Sequence, residues 1–182
     1  MRYLLIALLM LASGCGCVSV PTHDSLRATT LRLEFGPYVC SGVAVGPETL
    51  VTAQHCGKAA PLSSVNGQPV KVVGVGRDKR DLMTIKVSGM RFAHWARFGP
   101  PLKEGYRVRW WGQPARQEWV YREGYVTRVT AKEIWIDANL FGGDSGSGVF
   151  DDQGRLTGVV TGVRGWRDAD GFMFWMAVVY PR

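Results

Sequence analysis

The chain has 182 residues, a formal net charge of +7 and a hydrophobic fraction of 46%. This length suits one domain with two lobes or two very small domains, and the apolar fraction argues against a disordered chain. The basic residues are scattered, and the one cluster, "GRDKRD" at 76–81, contains two acids. The tryptophans of "RWWG" and "FMFWM" lie in apolar runs typical of a core. These features favour a solvated surface and predict no nucleic acid partner.

The N-terminal segment "MRYLLIALLMLASGCGC" has the pattern of a targeting sequence. One basic residue, Arg2, precedes an apolar run over 3–12 that is too short to span a bilayer comfortably and is typical of a secretory signal. We therefore predict a signal peptide over 1–14 and an exported protein, whether periplasmic, envelope-bound or secreted. "LASGC" resembles a bacterial lipobox, which would place lipid on Cys15 and attach the protein to a membrane. An ordinary signal-peptidase site at the same bond and a retained anchor stay as alternatives.

The rest of the chain consists of short β-branched runs separated by glycine, proline or polar turns. A linker is expected over 15–29, and "FGPPLKEG" at 98–105 divides the β runs into two groups. The first group lies at 30–35, 38–46, 49–53, 70–75 and 82–87, and the second at 106–112, 118–129, 133–138, 147–151, 155–163 and 172–179. Apart from a turn at "TAQHC", no helical period is sustained. The pattern predicts an all-β protein of two small antiparallel barrels or sandwiches, at 30–99 and 100–182.

Two of the four cysteines lie inside the expected mature domain. Cys40 and Cys56 would meet an oxidising compartment after export, so we predict a disulfide between them. A zinc site is the alternative, but neither a CxxC pair nor a second histidine at ligand spacing accompanies them. We expect no metal and no cofactor.

Three motifs carry the functional prediction. "VTAQHC" contains His55, "RDLMTIKV" contains Asp81 at the head of an apolar strand, and "GGDSGSGVF" contains Ser145 among glycines. Taken singly, each has an ordinary interpretation: a packed histidine, an acid paired with Arg80, and a tight turn. Their order along the chain resembles that of the chymotrypsin-like serine endopeptidases, whose motifs resemble "TAAHC", "DIALLKL" and "GDSGGP". The resemblance extends over about residues 30 to 180.

The resemblance implies two six-stranded antiparallel β-barrels with an active site in the cleft between them. Ser145 would be the nucleophile, His55 its base, and Asp81 the group that holds the imidazole tautomer. The backbone N–H groups of Gly143 and Ser145 would form the oxyanion hole, and peptide bonds would be hydrolysed through an acyl-enzyme. The spacing of Cys40 and Cys56 is similar to that of the family's cystine beside the histidine.

The same resemblance implies a substrate-binding surface. "GVVTGV" at 158–163 resembles the strand that pairs with the substrate backbone, which assigns Thr161, Gly162 and Val163 to substrate binding. Asn139 resembles the residue at the base of the primary specificity pocket. An amide there cannot compensate an incoming cation for its lost hydration, so we expect small or medium-sized neutral side chains before the cut bond, not Arg or Lys. Asp137 is an alternative occupant, which would reverse this preference.

Several features depart from the family pattern. The Ile-Val-Gly-Gly start is missing, so Asp144 needs a partner other than a freed amine, and we expect activity without that activation step. Asp78 is a rival to Asp81, and His94 follows the aspartate motif, out of order for the base. A catalytically silent, protease-like binding or envelope-associated protein is the second interpretation. A basic module for membranes or nucleic acids is the third.

Overall fold

The computed structural model describes residues 23–167, 169 and 173–181. The predicted signal peptide, Cys15 and Gly171, which resembles a residue of the specificity-pocket wall, lie outside the described residues. Two curled antiparallel sheets make up the fold, and the predicted all-β, chymotrypsin-like fold class is confirmed. Within the described ranges, no helix has the length and apolar character needed to cross a membrane.

The first sheet follows a five-residue helix, α1 (His23–Arg27), and is built from the first half of the chain. Its strand order is β5-β4-β1-β2-β3-β7-β6, with alternating side chains of the longer strands directed into an apolar core that includes Leu33, Leu50 and Ile85. The bounds are β1 (Thr30–Phe35), β2 (Tyr38–Gly46), β3 (Thr49–Ala53), β4 (Ser64–Val65), β5 (Gln68–Pro69), β6 (Lys71–Asp78) and β7 (Leu82–Ser88).

The second sheet closes into a six-stranded barrel in the order β10-β13-β12-β11-β8-β9. Its core contains Val108, Ile136 and the fully buried Trp110, which accords with the prediction that the "RWWG" aromatics fill a core. The bounds are β8 (Arg107–Gly112), β9 (Val120–Val129), β10 (Ile134–Ile136), β11 (Gly148–Phe150), β12 (Leu156–Arg167) and β13 (Met173–Pro181).

The first sheet has seven strands where the resemblance implied six. The pair β4 and β5, which the five β runs predicted for this half of the chain do not include, is a small hairpin whose turn residues Asn66 and Gly67 have φ of 50° and 76°. Asn-Gly is the dipeptide that favours a two-residue hairpin turn, because both of its residues tolerate positive φ. The Asn66 side chain also accepts a hydrogen bond from the Arg32 N–H, which fastens the turn to β1.

The two sheets meet through an apolar cluster to which both contribute. Val43 from β2 packs in this cluster with Phe150 from β11 and Leu156 from β12. Leu26 of α1 joins them and is only 3% exposed, so the stretch that the sequence predicts to be a linker is partly packed against the core. The cluster therefore joins β2 of the first sheet to β11 and β12 of the second.

Candidate active site

The structure brings together the three residues that the motifs singled out. His55 Nε2 lies 2.8 Å from Ser145 Oγ, and His55 Nδ1 lies 2.6 Å from Asp81 Oδ2. His55 belongs to a 3-10 turn, Gln54–Gly57, that follows β3, whereas Asp81 lies in the turn between β6 and β7. Because β3 and β7 are hydrogen-bonded neighbours, with Ala53 opposite Leu82, the two side chains start from adjacent positions.

Asp81 is held by its backbone as well as by its side chain. Its φ of 60° is uncommon for a residue other than glycine, and its carbonyl accepts a 2.7 Å hydrogen bond from Gln54 N–H. The second carboxylate oxygen, Oδ1, accepts a 3.0 Å bond from His55 N–H. These contacts fix the direction of the carboxylate relative to the imidazole.

Asp78, the alternative to Asp81 as the partner of His55, is paired with a different side chain. Arg80 binds the carboxylate of Asp78, and this side-chain hydrogen bond lowers the pKa of Asp78 to about 2. The alternative pairing of Asp81 with Arg80 is therefore not the one adopted. His94 is exposed on the surface and lines a separate cavity with Leu31 and Phe92.

Two glycines allow the chain to turn beside Ser145. Gly143 and Gly146 have φ of +105° and +90°. A Cβ atom at Gly143 would lie 2.0 Å from the Gln113 carbonyl oxygen, and one at Gly146 would lie 2.0 Å from the Ser41 carbonyl oxygen. No other residue fits either position without displacing backbone. The glycine-rich composition of this loop thus follows from close packing as well as from its turns.

The loop is also tied to the first sheet. Ser41 of β2 donates its hydroxyl to the Gly143 carbonyl and its N–H to the Ser145 carbonyl, each at 2.8 Å. The N–H groups of Gly143 and Ser145 themselves donate no hydrogen bond to any described residue. Neither N–H group is thus engaged by another described residue.

Asp144, next to the nucleophile, has a buried carboxylate and a partner that the sequence did not reveal. Its side chain is 1% exposed, and Oδ2 accepts a 2.9 Å bond from Phe141 N–H and lies 3.5 Å from Arg122 Nη2. Burial raises the pKa of Asp144, although the backbone bond and the arginine charge act in the opposite direction. Arg122 comes from β9, and nothing in its local sequence, "VYREGY", distinguishes it from a surface arginine.

The residues assigned to substrate binding lie on β12 and on the loop before Ser145. Thr161 is buried, whereas Val163 is 47% exposed. Asn139 is exposed, and its carbonyl accepts a 2.7 Å bond from Arg122 Nη1. Asp137, the alternative occupant of the specificity pocket, is also exposed. The guanidinium of Arg122 therefore reaches both the carboxylate beside the nucleophile and the segment expected at the pocket base.

A cavity of about 510 Å³ opens beside His55 and Ser145. His55, Ser145 and Gly143 contribute to it from one side. The remaining lining residues come from the turn before β2, the disulfide and two loops of the second sheet: Pro37, Tyr38, Val39, Cys40, Cys56, Ala59, Ala115, Arg116 and Gly142. Sequence reasoning gave no role to Arg116. In the described part of the chain, no group of three or more His, Cys, Asp or Glu side chains could hold a metal ion.

The predicted disulfide is formed. Cys40 of β2 is bonded to Cys56 in the turn that carries His55. Both half-cystines are almost fully buried, at 6% and 5% exposure. The bond therefore links a central strand of the first sheet to the element that positions the imidazole.

Comparison with known proteins assigns the class. A model of the trypsin-like peptidase domain matches residues 40–159, and the chain belongs to that family. It is a peptidase of the serine type, with the chymotrypsin-like fold. No curated protein sequence was found to match it.

Solved structures agree on the fold. The active form of the Rv3671c protease from M. tuberculosis is 19% identical, with a TM-score of 0.73 over 90% of this chain and 80% of that one. The MamO protease domain from Magnetospirillum magneticum is 19% identical, with a TM-score of 0.62 over 88% and 95% of the two chains. A serine endoprotease from Yersinia pestis is 18% identical, with a TM-score of 0.68 over 89% and 63%. At such identities the similarity establishes the shared fold alone.

Proposed function

We propose that this peptidase cleaves peptide bonds with Ser145 as nucleophile, His55 as general base and Asp81 as the group that orients the imidazole. The observation that carries the proposal is the continuous chain of short contacts from Asp81 Oδ2 through both nitrogens of His55 to Ser145 Oγ. A serine hydroxyl is a weak nucleophile until a base within hydrogen-bond reach accepts its proton. The contact to Asp81 would keep the proton on Nδ1, so that Nε2 can accept it.

The proposed reaction has two stages. Ser145 Oγ attacks the scissile carbonyl carbon while His55 Nε2 takes the hydroxyl proton, and the same nitrogen then gives that proton to the departing amine. His55 then deprotonates a water molecule that attacks the acyl ester, and it returns this proton to Ser145 Oγ as the ester bond breaks and the acid departs. The N–H groups of Gly143 and Ser145 would bind the carbonyl oxygen as its negative charge develops. Loss of one such donor typically lowers kcat by about a hundred- to a thousandfold.

We propose that neutral side chains are preferred before the cut bond. Asn139 offers no charge to offset the lost hydration of an incoming Lys or Arg, and its carbonyl is already bound by Arg122. Cleavage of a peptide mixture, with the cut sites located by mass spectrometry, measures this preference. A majority of cuts after Lys or Arg would contradict it.

We also propose that the protein is exported and that its mature form begins at Cys15. The disulfide agrees with an oxidising compartment. Lipid on Cys15 is the further prediction, and a diacylated residue would anchor the protein stably whereas a single chain binds a membrane only marginally. Mass spectrometry of the mature N-terminus tests both points. An intact Met1 would contradict processing, and an unmodified Cys15 would contradict lipidation.

The catalytic assignment predicts the behaviour of two variants. Ser145→Ala is expected to abolish hydrolysis of an unfolded protein substrate. Asp81→Asn is expected to lower kcat by about four orders of magnitude while the fold is retained, because the imidazole would then hold its proton on the wrong nitrogen. Asp78→Asn is the matched control, since it removes a neighbouring carboxylate that Arg80 occupies. Its activity should stay within about threefold of wild type, the scale of surface substitutions.

The silent-binder alternative predicts a different outcome. In that case the wild-type protein would bind peptides without cleaving them. Neither Ser145→Ala nor Asp81→Asn would then differ from wild type in the absence of cleavage. Activity that survives in Ser145→Ala would instead overturn the choice of nucleophile.

A further inference from the structure

The cavity beside Ser145 contains an arginine that the proposed mechanism does not use. Arg116 lines this cavity together with His55, Gly143 and Ser145. None of the residues assigned to the segment before the cut bond, namely Asn139, Thr161, Gly162 and Val163, lines it. The cavity therefore lies on the other side of the nucleophile, where the part of the substrate that departs with the amine would be held.

The backbone that carries Arg116 is strained. Ala115 and Arg116 have φ of 49° and 66°, two consecutive residues in the left-handed region without a glycine. Each such residue costs on the order of 1 to 2 kcal/mol. Strain of this kind persists only where surrounding contacts impose it, and it is concentrated at functional sites. The turn formed by Pro114–Arg116 thus has a conformation that its own sequence does not favour.

Three contacts hold the turn in this conformation. Ala115 N–H donates a 2.7 Å bond to the Gly142 carbonyl, which connects the turn to the loop of Ser145. Arg116 N–H donates to the Gln113 carbonyl at 3.1 Å. Arg116 Nη2 donates a 2.6 Å bond to the Pro37 carbonyl, in the turn that precedes β2. The guanidinium thereby reaches from the second sheet to the first, at the wall of the cavity.

Arg116 has donor capacity left over. Its only side-chain hydrogen bond to the described residues is the one to Pro37, and its side chain is exposed. Glu118, the acid nearest to it along the chain, lies 3.7 Å from the guanidinium of Arg32 instead. Among the described residues that line the cavity, Arg116 alone carries a permanent charge. A planar guanidinium with unused N–H groups matches the geometry of a carboxylate.

We propose that Arg116 selects a carboxylate in the first two residues after the cut bond. The carboxylate is either the side chain of Asp or Glu or the free C-terminus of a short substrate. This inference rests on the proposed function for the direction of the peptide in the cleft. The bond would form in a partly exposed site, so its contribution to recognition is of the size measured for exposed ion pairs, about fivefold in affinity.

A peptide library tests the proposal. Positions before the cut are random, and the first two positions after it carry Glu, Gln or Lys, each series made with a free C-terminus and as the C-terminal amide. Mass spectrometry measures kcat/KM for each series with the full-length protein. We expect kcat/KM for the Glu peptides to exceed that for the Gln peptides by about fivefold, and the Lys peptides to be cleaved most slowly. These differences should become smaller in 1 M salt. If Arg116 binds the C-terminal carboxylate of the peptide, kcat/KM should fall on amidation of the C-terminus and should not change between Glu and Gln.

Two variants identify the residue responsible. Arg116→Gln should bring the ratio of kcat/KM for the Glu and Gln peptides close to one. Arg116→Glu should cleave the Lys peptides fastest. Arg97→Gln is the matched control: it removes an exposed arginine that does not line the cavity, and should keep the wild-type ratio. Equal cleavage of all series by wild type, or an unchanged ratio in Arg116→Gln, would overturn the proposal.

A binding measurement separates this inference from the proposed function. Fluorescence anisotropy with labelled Glu and Gln peptides gives their affinities for Ser145→Ala, without any need for cleavage. If wild type cleaves none of the peptides but Ser145→Ala binds the Glu peptides more tightly, the carboxylate site stands and the catalytic proposal fails. If wild type cleaves while Ser145→Ala binds both peptides equally, the catalytic proposal stands and the carboxylate site fails.

Discussion

At the scale of single residues, Asp144 joins the nucleophile to the interior of the second barrel. Its carboxylate accepts a hydrogen bond from Phe141 N–H and lies beside Arg122, whose side chain is 17% exposed. The resemblance left this acid without the freed N-terminal amine that members activated by cleavage provide. Arg122 supplies the missing cation from within the folded chain.

The pairing predicts a pH-dependent stability difference for Arg122→Met. The folded-state pKa of Asp144 is raised, so the stability that goes with its protonated form is present below the unfolded pKa and is lost as the pH rises through the folded pKa. Removal of the arginine charge raises that pKa further, so the free energy of unfolding decreases more at high pH than it does in wild type. We expect the free energy of unfolding to fall by about 2 kcal/mol at pH 8, and by less at pH 4.

Urea denaturation at the two pH values measures this difference. Arg128→Met, on the same strand, is the control: its guanidinium lies over the Trp135 ring and forms no ion pair with any residue that the structure describes. For this control, the free energy of unfolding should change by the same small amount at both pH values. An effect of Arg122→Met that is equal at pH 4 and pH 8 would show that the arginine does not interact with the ionised carboxylate.

At the scale of elements, the disulfide ties the turn of His55 to β2. The bonded residues are separated by 16 positions, and the loop that they close contains all of β3. A cross-link of this loop length lowers the entropy of the unfolded chain and stabilises the fold by about 3 kcal/mol. The same strand, β2, supplies Ser41 to the loop of the nucleophile, so one element positions both sides of the site.

The double variant Cys40→Ala, Cys56→Ala tests the contribution of the disulfide. Its free energy of unfolding should be lower than that of wild type by about 3 kcal/mol, as measured in denaturant. Reductant should destabilise wild type by a similar amount and leave the double variant unchanged. A loss below about 1 kcal/mol would mean that strand pairing alone holds the turn in place.

At the scale of the whole molecule, the sequence predicted what local patterns determine. The β runs and the three motifs are contiguous, so alternation and turn residues were enough to place them. Every predicted β run overlaps a strand, although β12 extends to Arg167 and β6 to Asp78, beyond their predicted ends. Those extensions arise from pairing with β13 and β7, which no single segment reveals.

The features that the sequence did not predict depend on contacts between distant segments. Arg122 meets Asp144 only because β9 lies in the wall of the closed barrel. Arg116 reaches the cleft through two left-handed residues in a turn without glycine, where propensity predicts no positive φ. The hairpin at Asn66, by contrast, could have been predicted from the sequence, because Asn-Gly between two short strands favours a hairpin turn.

The central claim is that the Ser145 hydroxyl is activated by His55. A fluorophosphonate reacts with a serine only where a base and an oxyanion site are assembled around it, so it tests this claim without a known substrate. After exposure of the oxidised, full-length protein to the reagent, peptide mass mapping should find the added phosphonyl group on Ser145. His55→Ala should lose the label while Asp78→Asn keeps it. An unlabelled Ser145 in folded wild-type protein, or equal labelling of His55→Ala, would contradict the account.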